Sequence, residues 1–342
     1  MDTRQMNILI LSAGTRNKVV QAFRQALAGK GKVVATDASR LAPALYDADK
    51  AYVVSRITAP DYLDQILDIC RREEIAGVLS LIDPELSFLA RTRQRFEEIG
   101  VVPIVSSYEL CETCLDKYRM YRLLQEKNIR TARCWTSAEE FRRARESGEA
   151  KFPVFVKPQC GSASLNINLA GNDQTVRTLF DNVEGLMIQE LMTGQEYGCD
   201  LYVDLVSGKC TSLFLKKKLR MRAGETDKSV SVHVPELFER LAAFAESCGF
   251  RGMIDIDLFH DEHGMENETC GVPEGEWYLS EVNPRFGGGY PHAYACGVDF
   301  PSQIIRNLEG QENPVTIGAY ERGIYMMKYN EIQICREDEL ML

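Results

Sequence analysis

Nowhere in the 342 residues does an uninterrupted apolar run reach membrane-spanning length, and the opening Met1-Asp2-Thr3-Arg4-Gln5 carries none. A soluble protein of the cell interior, cytoplasmic rather than membrane-bound, is expected. Basic residues are in deficit. Forty Lys and Arg stand against 50 Asp and Glu, and the net charge of -10 excludes a non-specific hold on nucleic acid or an anionic membrane. Any phosphate site must therefore be built locally. Histidine is scarce: His233, His260, His263 and His292 show no metal-ligand spacing, no Ser-His-Asp pattern is present, and His260 and His263 fall in what reads as a solvated polar loop. The eleven cysteines follow no repeating spacing, and the Cys111-x-x-Cys114 pair has no second pair to complete a zinc site. Free, mostly buried thiols in a reducing compartment fit that pattern. The first strand-helix turn holds one glycine instead of G-x-G-x-x-G, so a dehydrogenase loses its main support.

Apolar content of 45% is enough to bury a sizeable core, and the length calls for two or three domains. Residues 7 to 113 alternate strands (7–11, 32–36, 51–54, 77–82, 101–105) with helical stretches, which predicts a doubly wound parallel sheet. Asp37, Asp83 and Glu85 sit at strand ends, as ligand-facing residues or as helix caps. Ser106 with Glu109 reads as a capping box, opening a helical region to 128 with a break near Thr113. A smaller unit follows to about 187. At its centre, strand 152–158 ends in Lys157 and leads to Gly161-Ser162-Ala163-Ser164. This suits a triphosphate, with the ammonium on the α- and β-phosphates; a surface lysine before an ordinary turn is the plain reading. Beyond Gln189-Glu190-Leu191 and Gln195-Glu196 come strands 199–206 and 210–215. The cation run 216–222 reads as a solvated face or, beside a polar loop at 223–229, as an anionic-substrate site. Helix 235–248 stops at Gly249, a long connection at 261–276 is expected to be mobile, Asp299-Phe300-Pro301 starts a helix, and 323–329 is a last strand.

The organising stretch is Glu281-Val282-Asn283-Pro284-Arg285-Phe286-Gly287-Gly288-Gly289. Residues two apart on a strand share a face, so Glu281 and Asn283 stand side by side, as do Asp255 and Asp257 on an earlier strand. Antiparallel pairing of the two would bring three carboxylates and one amide together. Magnesium takes such oxygen ligands and fills its shell from phosphate, with Arg285 placed to hold a further phosphate oxygen. The plain alternative is a strand end, a proline stop and a flexible glycine turn.

Taken in order, these motifs resemble the ATP-grasp superfamily, in particular one half of the carbamoyl-phosphate synthase large subunit and the stand-alone carboxylate-amine ligases similar to it. The resemblance implies a pre-ATP-grasp domain at 1–113, a small ATP-grasp lobe at 114–187 and a large lobe at 188–342. It further implies that Lys117 and Lys157 hold phosphates under Gly161, Ser162, Ala163 and Ser164. Gln189, Glu190 and Leu191 would line an adenine pocket, with Glu196 on the ribose. Asp257, Glu281 and Asn283 would bind two Mg2+ ions, or Mn2+ in their place. Arg285, Lys157 and Arg222 would be the catalytic groups, although Asp257 stands where the synthase has a neutral amide. The implied reaction is ATP-dependent activation of a carboxylate as an acyl phosphate, followed by attack of an amine. A bicarbonate- or carbamate-using subunit with partners and a non-catalytic ATP-binding regulator are the alternatives. Pairing of two copies through the amino-terminal domain is what the resemblance implies for assembly.

Overall fold

A computed structural model describes residues 5–161, 167–266 and 272–340. The first sheet is parallel: β1 (Asn7–Leu11), β2 (Val33–Asp37), β3 (Lys50–Val53), β4 (Ile75–Ser80) and β5 (Val102–Pro103), in the order β3-β2-β1-β4-β5. β1 is buried throughout, and its alternation feeds two cores. Ile8 and Ile10 pack toward Phe23 and Leu27 of the helix Asn17–Leu27, while Leu9 and Leu11 pack toward Ile66, Leu86 and Leu89 on the other face. The doubly wound sheet is thus as the sequence predicts.

The helical region after it differs in detail. Ser107, not Ser106, caps the helix Tyr108–Leu115 by accepting from the Leu110 amide at 3.2 Å. Ser106 is fully buried instead, and its Oγ accepts from the Arg251 amide (3.1 Å) and donates to the Arg251 carbonyl (3.3 Å). The expected break near Thr113 falls at Asp116, whose carboxylate accepts from Tyr118 and Arg119 and starts the helix Lys117–Glu126.

The second sheet is small and antiparallel: β6 (Cys134–Trp135), β7 (Val154–Pro158), β8 (Asn168–Ala170) and β9 (Leu186–Glu190), ordered β6-β9-β7-β8. It has its own core of Phe141, Val154, Val156, Val176 and Ile188. The third sheet is antiparallel and six-stranded: β10 (Gln195–Val203), β11 (Cys210–Arg222), β12 (Glu225–Val232), β13 (Gly252–Glu266), β14 (Pro273–Asn283) and β15 (Tyr325–Met327), ordered β14-β13-β10-β11-β12-β15. Its core is continuous with one face of the first sheet, and Phe23 meets Phe286 edge-on at 5.9 Å.

Three expectations for this region need correction. The cation run lies within β11 and is divided: Lys216 and Lys218 are buried, while Arg220 and Arg222 are exposed as a solvated face requires. The supposed polar loop is a two-residue turn at Ala223 and Gly224, both left-handed, followed by β12. Most of the 261–276 connection is paired strand, extending to Glu266 and resuming at Pro273. His260 belongs to it. Strand pairing sets it opposite Trp277, and the two rings stack at 4.2 Å with the imidazole 1% exposed, so it is a core side chain. The side chain of His263 lies outside the described residues. The described cysteines are free thiols. Among the described residues, no helix is long and apolar enough to cross a membrane.

Ser106→Ala leaves the buried Arg251 amide without its partner, so it should cost about 1 to 3 kcal/mol of stability, read as a lower urea midpoint with an unchanged slope.

Candidate active site

β13 and β14 pair antiparallel with Asp257 opposite Glu281 and Asp255 opposite Asn283. Directly opposed side chains share a face, so the three carboxylates and the amide stand together on one wall of a cleft of about 680 Å³. Ser280 is the extra residue of a bulge beside this pairing, which sets Leu279 against Leu258 on the opposite face. Without it, the apolar end of β14 would share a face with Glu281.

Two of the three carboxylates, Asp257 and Asp255, have a cation within 4.0 Å. Lys218 Nζ lies 2.5 Å from Asp257 Oδ1, and Lys216 is paired with Asp200, both members almost fully buried. The two lysine chains cross β10 at Gly198, where an added Cβ would lie 3.1 Å from both Cε atoms. Arg285 approaches Asp255 at 3.7 Å and is gripped by both oxygens of Asp83 at 3.0 and 3.1 Å. Asp83 is the first residue of the helix Asp83–Arg91 and not its cap, which is Ile82 without a side-chain bond; its carboxylate holds Arg285 instead. Glu85 faces elsewhere, its buried carboxyl bonded to Tyr62 and Ser80. Asp37 braces the turn after β1 by accepting from Gly14 at 2.9 Å.

The glycine run is not a merely flexible turn. A Cβ on Gly287 would lie 2.4 Å from the Asp255 carboxyl carbon, one on Gly288 2.8 Å from that of Glu225, and one on Gly289 2.7 Å from Lys216 Cε. These glycines let the turn close over charged groups.

The second sheet supplies the facing wall. Val154 and Val156 point into its core, so Phe155 and Lys157 point into the cleft. Lys157 Nζ donates to Gln189 Oε1 at 2.5 Å. Lys117, first in its helix, bonds through its amide to Gln159 and through Nζ to the Gly161 carbonyl at 2.5 Å. Glu196 lines the cleft. Ser162, Ala163 and Ser164 lie outside the described residues. The Glu190 side chain does not line the cleft: its carboxylate pairs with Arg133 at 3.3 Å, and its amide bonds the Arg133 carbonyl; the Leu191 side chain is also outside the lining. Arg222 is exposed at the hairpin end, 3.5 Å from Asn330 Oδ1, and Glu225 opposite it faces the cleft instead. Lys218 and Glu225, from the segment read as a possible anionic-substrate site, do line the cleft, whereas Arg16, Phe155 and Ile167 are lining residues that sequence reasoning missed. Only Phe155 carried a signal, two residues before Lys157.

Residues 114–289 match the family model described as the ATP-grasp domain. The chain belongs to the ATP-grasp family. Residues 8–105 match the PylC-like N-terminal domain. A curated relative, the arginine-specific carbamoyl phosphate synthase large chain of Geobacillus stearothermophilus, is 20% identical over 79% of this ATP-grasp chain. The chain spans only 26% of that protein's length. Among solved structures, the biotin carboxylase domain dimer of Hydrogenobacter thermophilus 2-oxoglutarate carboxylase, bound to MgADP, ADP and bicarbonate, superposes with TM-score 0.69 at 16% identity, over 93% of this chain and 73% of that one. N5-carboxyaminoimidazole synthetase of Staphylococcus aureus complexed with ADP gives 0.67 at 14% identity, over 90% and 78%. These likenesses establish the ATP-grasp fold.

Among the described residues, no group of three or more His, Cys, Asp or Glu is placed to hold a metal on protein ligands alone. The donor set still fits magnesium, which commonly takes one or two carboxylates and completes its shell from phosphate and water. Burial raises the Glu281 carboxyl above its ordinary range and Asp257 adds to the rise, while Lys117 and Lys157 of the facing wall oppose it. Burial lowers the Lys157 ammonium. A cation between the walls would favour the charged Glu281.

Burial, Asp257 and Asp200 push the Asp255 carboxyl up to about 7, against 3.8 for a free one. Between about pH 4 and pH 7 the folded chain therefore holds a proton that the unfolded chain has released, and this group's contribution to stability declines as pH rises through that window. Asp255→Asn should flatten this part of the stability profile, measured by thermal melts in chelator.

Proposed function

We propose that this chain is an ATP-dependent ligase that activates a carboxylate as an acyl phosphate, releases ADP, and passes the acyl group to an amine. The observation that carries this reading is the Asp257–Glu281 cross-strand pair facing Lys117 and Lys157 across one cleft. Lys117 and Lys157 would hold the phosphates, with Gly161 and the loop after it above them. Gln189 and the main chain from Leu191 would take the adenine between the apolar surfaces of Phe155 and Ile167, and Glu196 would accept the ribose hydroxyls. Asp257, Glu281 and Asn283 would hold two Mg2+ ions, with Mn2+ as a substitute. The metal, when bound, neutralises phosphate charge and aligns the γ-phosphate for in-line transfer. Arg285, held by Asp83, would meet the transferred phosphoryl oxygens with a guanidinium whose orientation is already set. Lys218, paired with Asp257, would share that carboxylate with a bound metal.

In this reading, residues 1–113 form the pre-ATP-grasp domain, 114–187 the lid and 188–342 the platform. The enzyme works in the cytoplasm, consistent with its free thiols, and pairs through its amino-terminal domain. The ADP and bicarbonate bound by the structural relatives support the nucleotide assignment and a carboxylate-like first substrate. A second reading, a subunit acting on bicarbonate or carbamate with partners, draws on the likeness to carbamoyl phosphate synthase.

The deciding measurement is ADP release from MgATP against a panel of carboxylic acids, amino acids and bicarbonate, each with and without amines. Release that depends on an organic acid supports the ligase, and release with bicarbonate alone supports the second reading. Glu281→Ala and Asp257→Ala should each lower turnover by about two to three orders of magnitude while the circular dichroism melt stays cooperative. Near-normal turnover in either overturns the assignment.

A further inference from the structure

At the cleft wall beside Gly288, three distant segments meet on one carboxylate. Arg16 comes from the turn between β1 and its helix, Glu225 from the start of β12, and Lys328 from just beyond β15. Arg16 Nη1 is paired with Glu225 Oε1, and Lys328 Nζ lies 3.1 Å from Glu225 Oε2. Arg16 and Glu225 line the cleft, and Gly288 has no room for a side chain between them, since its Cβ would lie 2.8 Å from the Glu225 carboxyl carbon and 3.0 Å from Arg16 Nη1. The Lys328 backbone is fixed too, its amide donating to the Asp227 carbonyl at 3.0 Å.

This group has hydrogen-bonding capacity to spare. A guanidinium carries five N–H donors and an ammonium three, while a carboxylate accepts about four bonds. Among the described residues, Arg16 uses Nη1 alone and Lys328 one contact from its side chain, both on Glu225. Two cations against one anion leave a net positive charge for a ligand carboxylate. A carboxylate alone would nevertheless sit beside Glu225, which the two cations hold below its ordinary range despite burial. A ligand with an ammonium next to its carboxylate satisfies both sides.

We propose that Arg16, Glu225 and Lys328 form the recognition subsite for a zwitterionic α-amino acid, one of the two substrates joined by this enzyme. Arg16 and Lys328 take its carboxylate and Glu225 its ammonium. The term substrate rests on the ligase reading; the binding site does not.

The test is equilibrium binding by calorimetry of the twenty protein amino acids, in both enantiomers, to the full chain. Each binder is compared with its deaminated acid and its decarboxylated amine. At least one amino acid should bind at least tenfold more tightly than either counterpart, and Arg16→Gln and Glu225→Gln should each weaken it by about ten- to a hundredfold. Lys328→Gln serves as a third variant should either of the others melt early. MgATP affinity, measured in the same samples, should stay within about twofold of the parent. Absence of any amino acid binding at millimolar concentration overturns the proposal, as does equal binding by parent and variants. Failure of MgATP to bind or to turn over counts against the ligase reading alone, because amino acid binding is read without turnover.

Discussion

Two carboxylates held face to face across an antiparallel pair are the constraint to which the rest of the molecule answers. Asp257 and Glu281 are partners in the backbone register, so they cannot separate without unpairing β13 and β14. Burial first, and repulsion from Asp257 second, raise the carboxyls of Asp255 and Glu281. The fold supplies positive charge from every side. Lys218 and Lys216 rise from β11, Arg285 follows β14, and Lys117 and Lys157 stand on the opposite wall. Gly198 and the Gly287–Gly289 turn are where that supply demands close approach.

The layering of the cores has a functional consequence. The first sheet and the six-stranded sheet share one apolar core, so Asp83 and Arg16 of the former meet Arg285 and Glu225 of the latter in fixed geometry. The small sheet has a core of its own. Lys157 thus sits on the small sheet, while Lys117 opens a helix whose Met120 and Leu124 belong to the shared core, as do the strands that carry the acids.

Much of this was legible from local pattern. The parallel sheet, the cap at Asp299, the end of helix Pro235–Cys248 at Gly249 and the shared faces of Asp255 with Asp257 and Glu281 with Asn283 follow from periodicity and capping chemistry. The failures have a common cause. Lys216 to Arg222 reads as a solvated face because charge in a sequence carries no sign of its partner, and the partners Asp200, Asp257 and Glu262 lie 16 to 45 residues away. His260 looks solvated until strand pairing sets Trp277 against it. Ser106 scores as a cap because its true partner, Arg251, is 145 residues distant.

By itself, then, the order of residues determined the strands, their two-residue faces and hence which acids could stand together, because these depend on neighbours within a few positions. Only the tertiary structure decided that Glu225 rather than Arg222 faces the cleft, that Asp83 holds Arg285, and that Arg16 and Lys328 share one carboxylate. Those contacts join residues 103 to 209 positions apart, brought together by sheet order and a common core, and no local pattern encodes a partner at that distance.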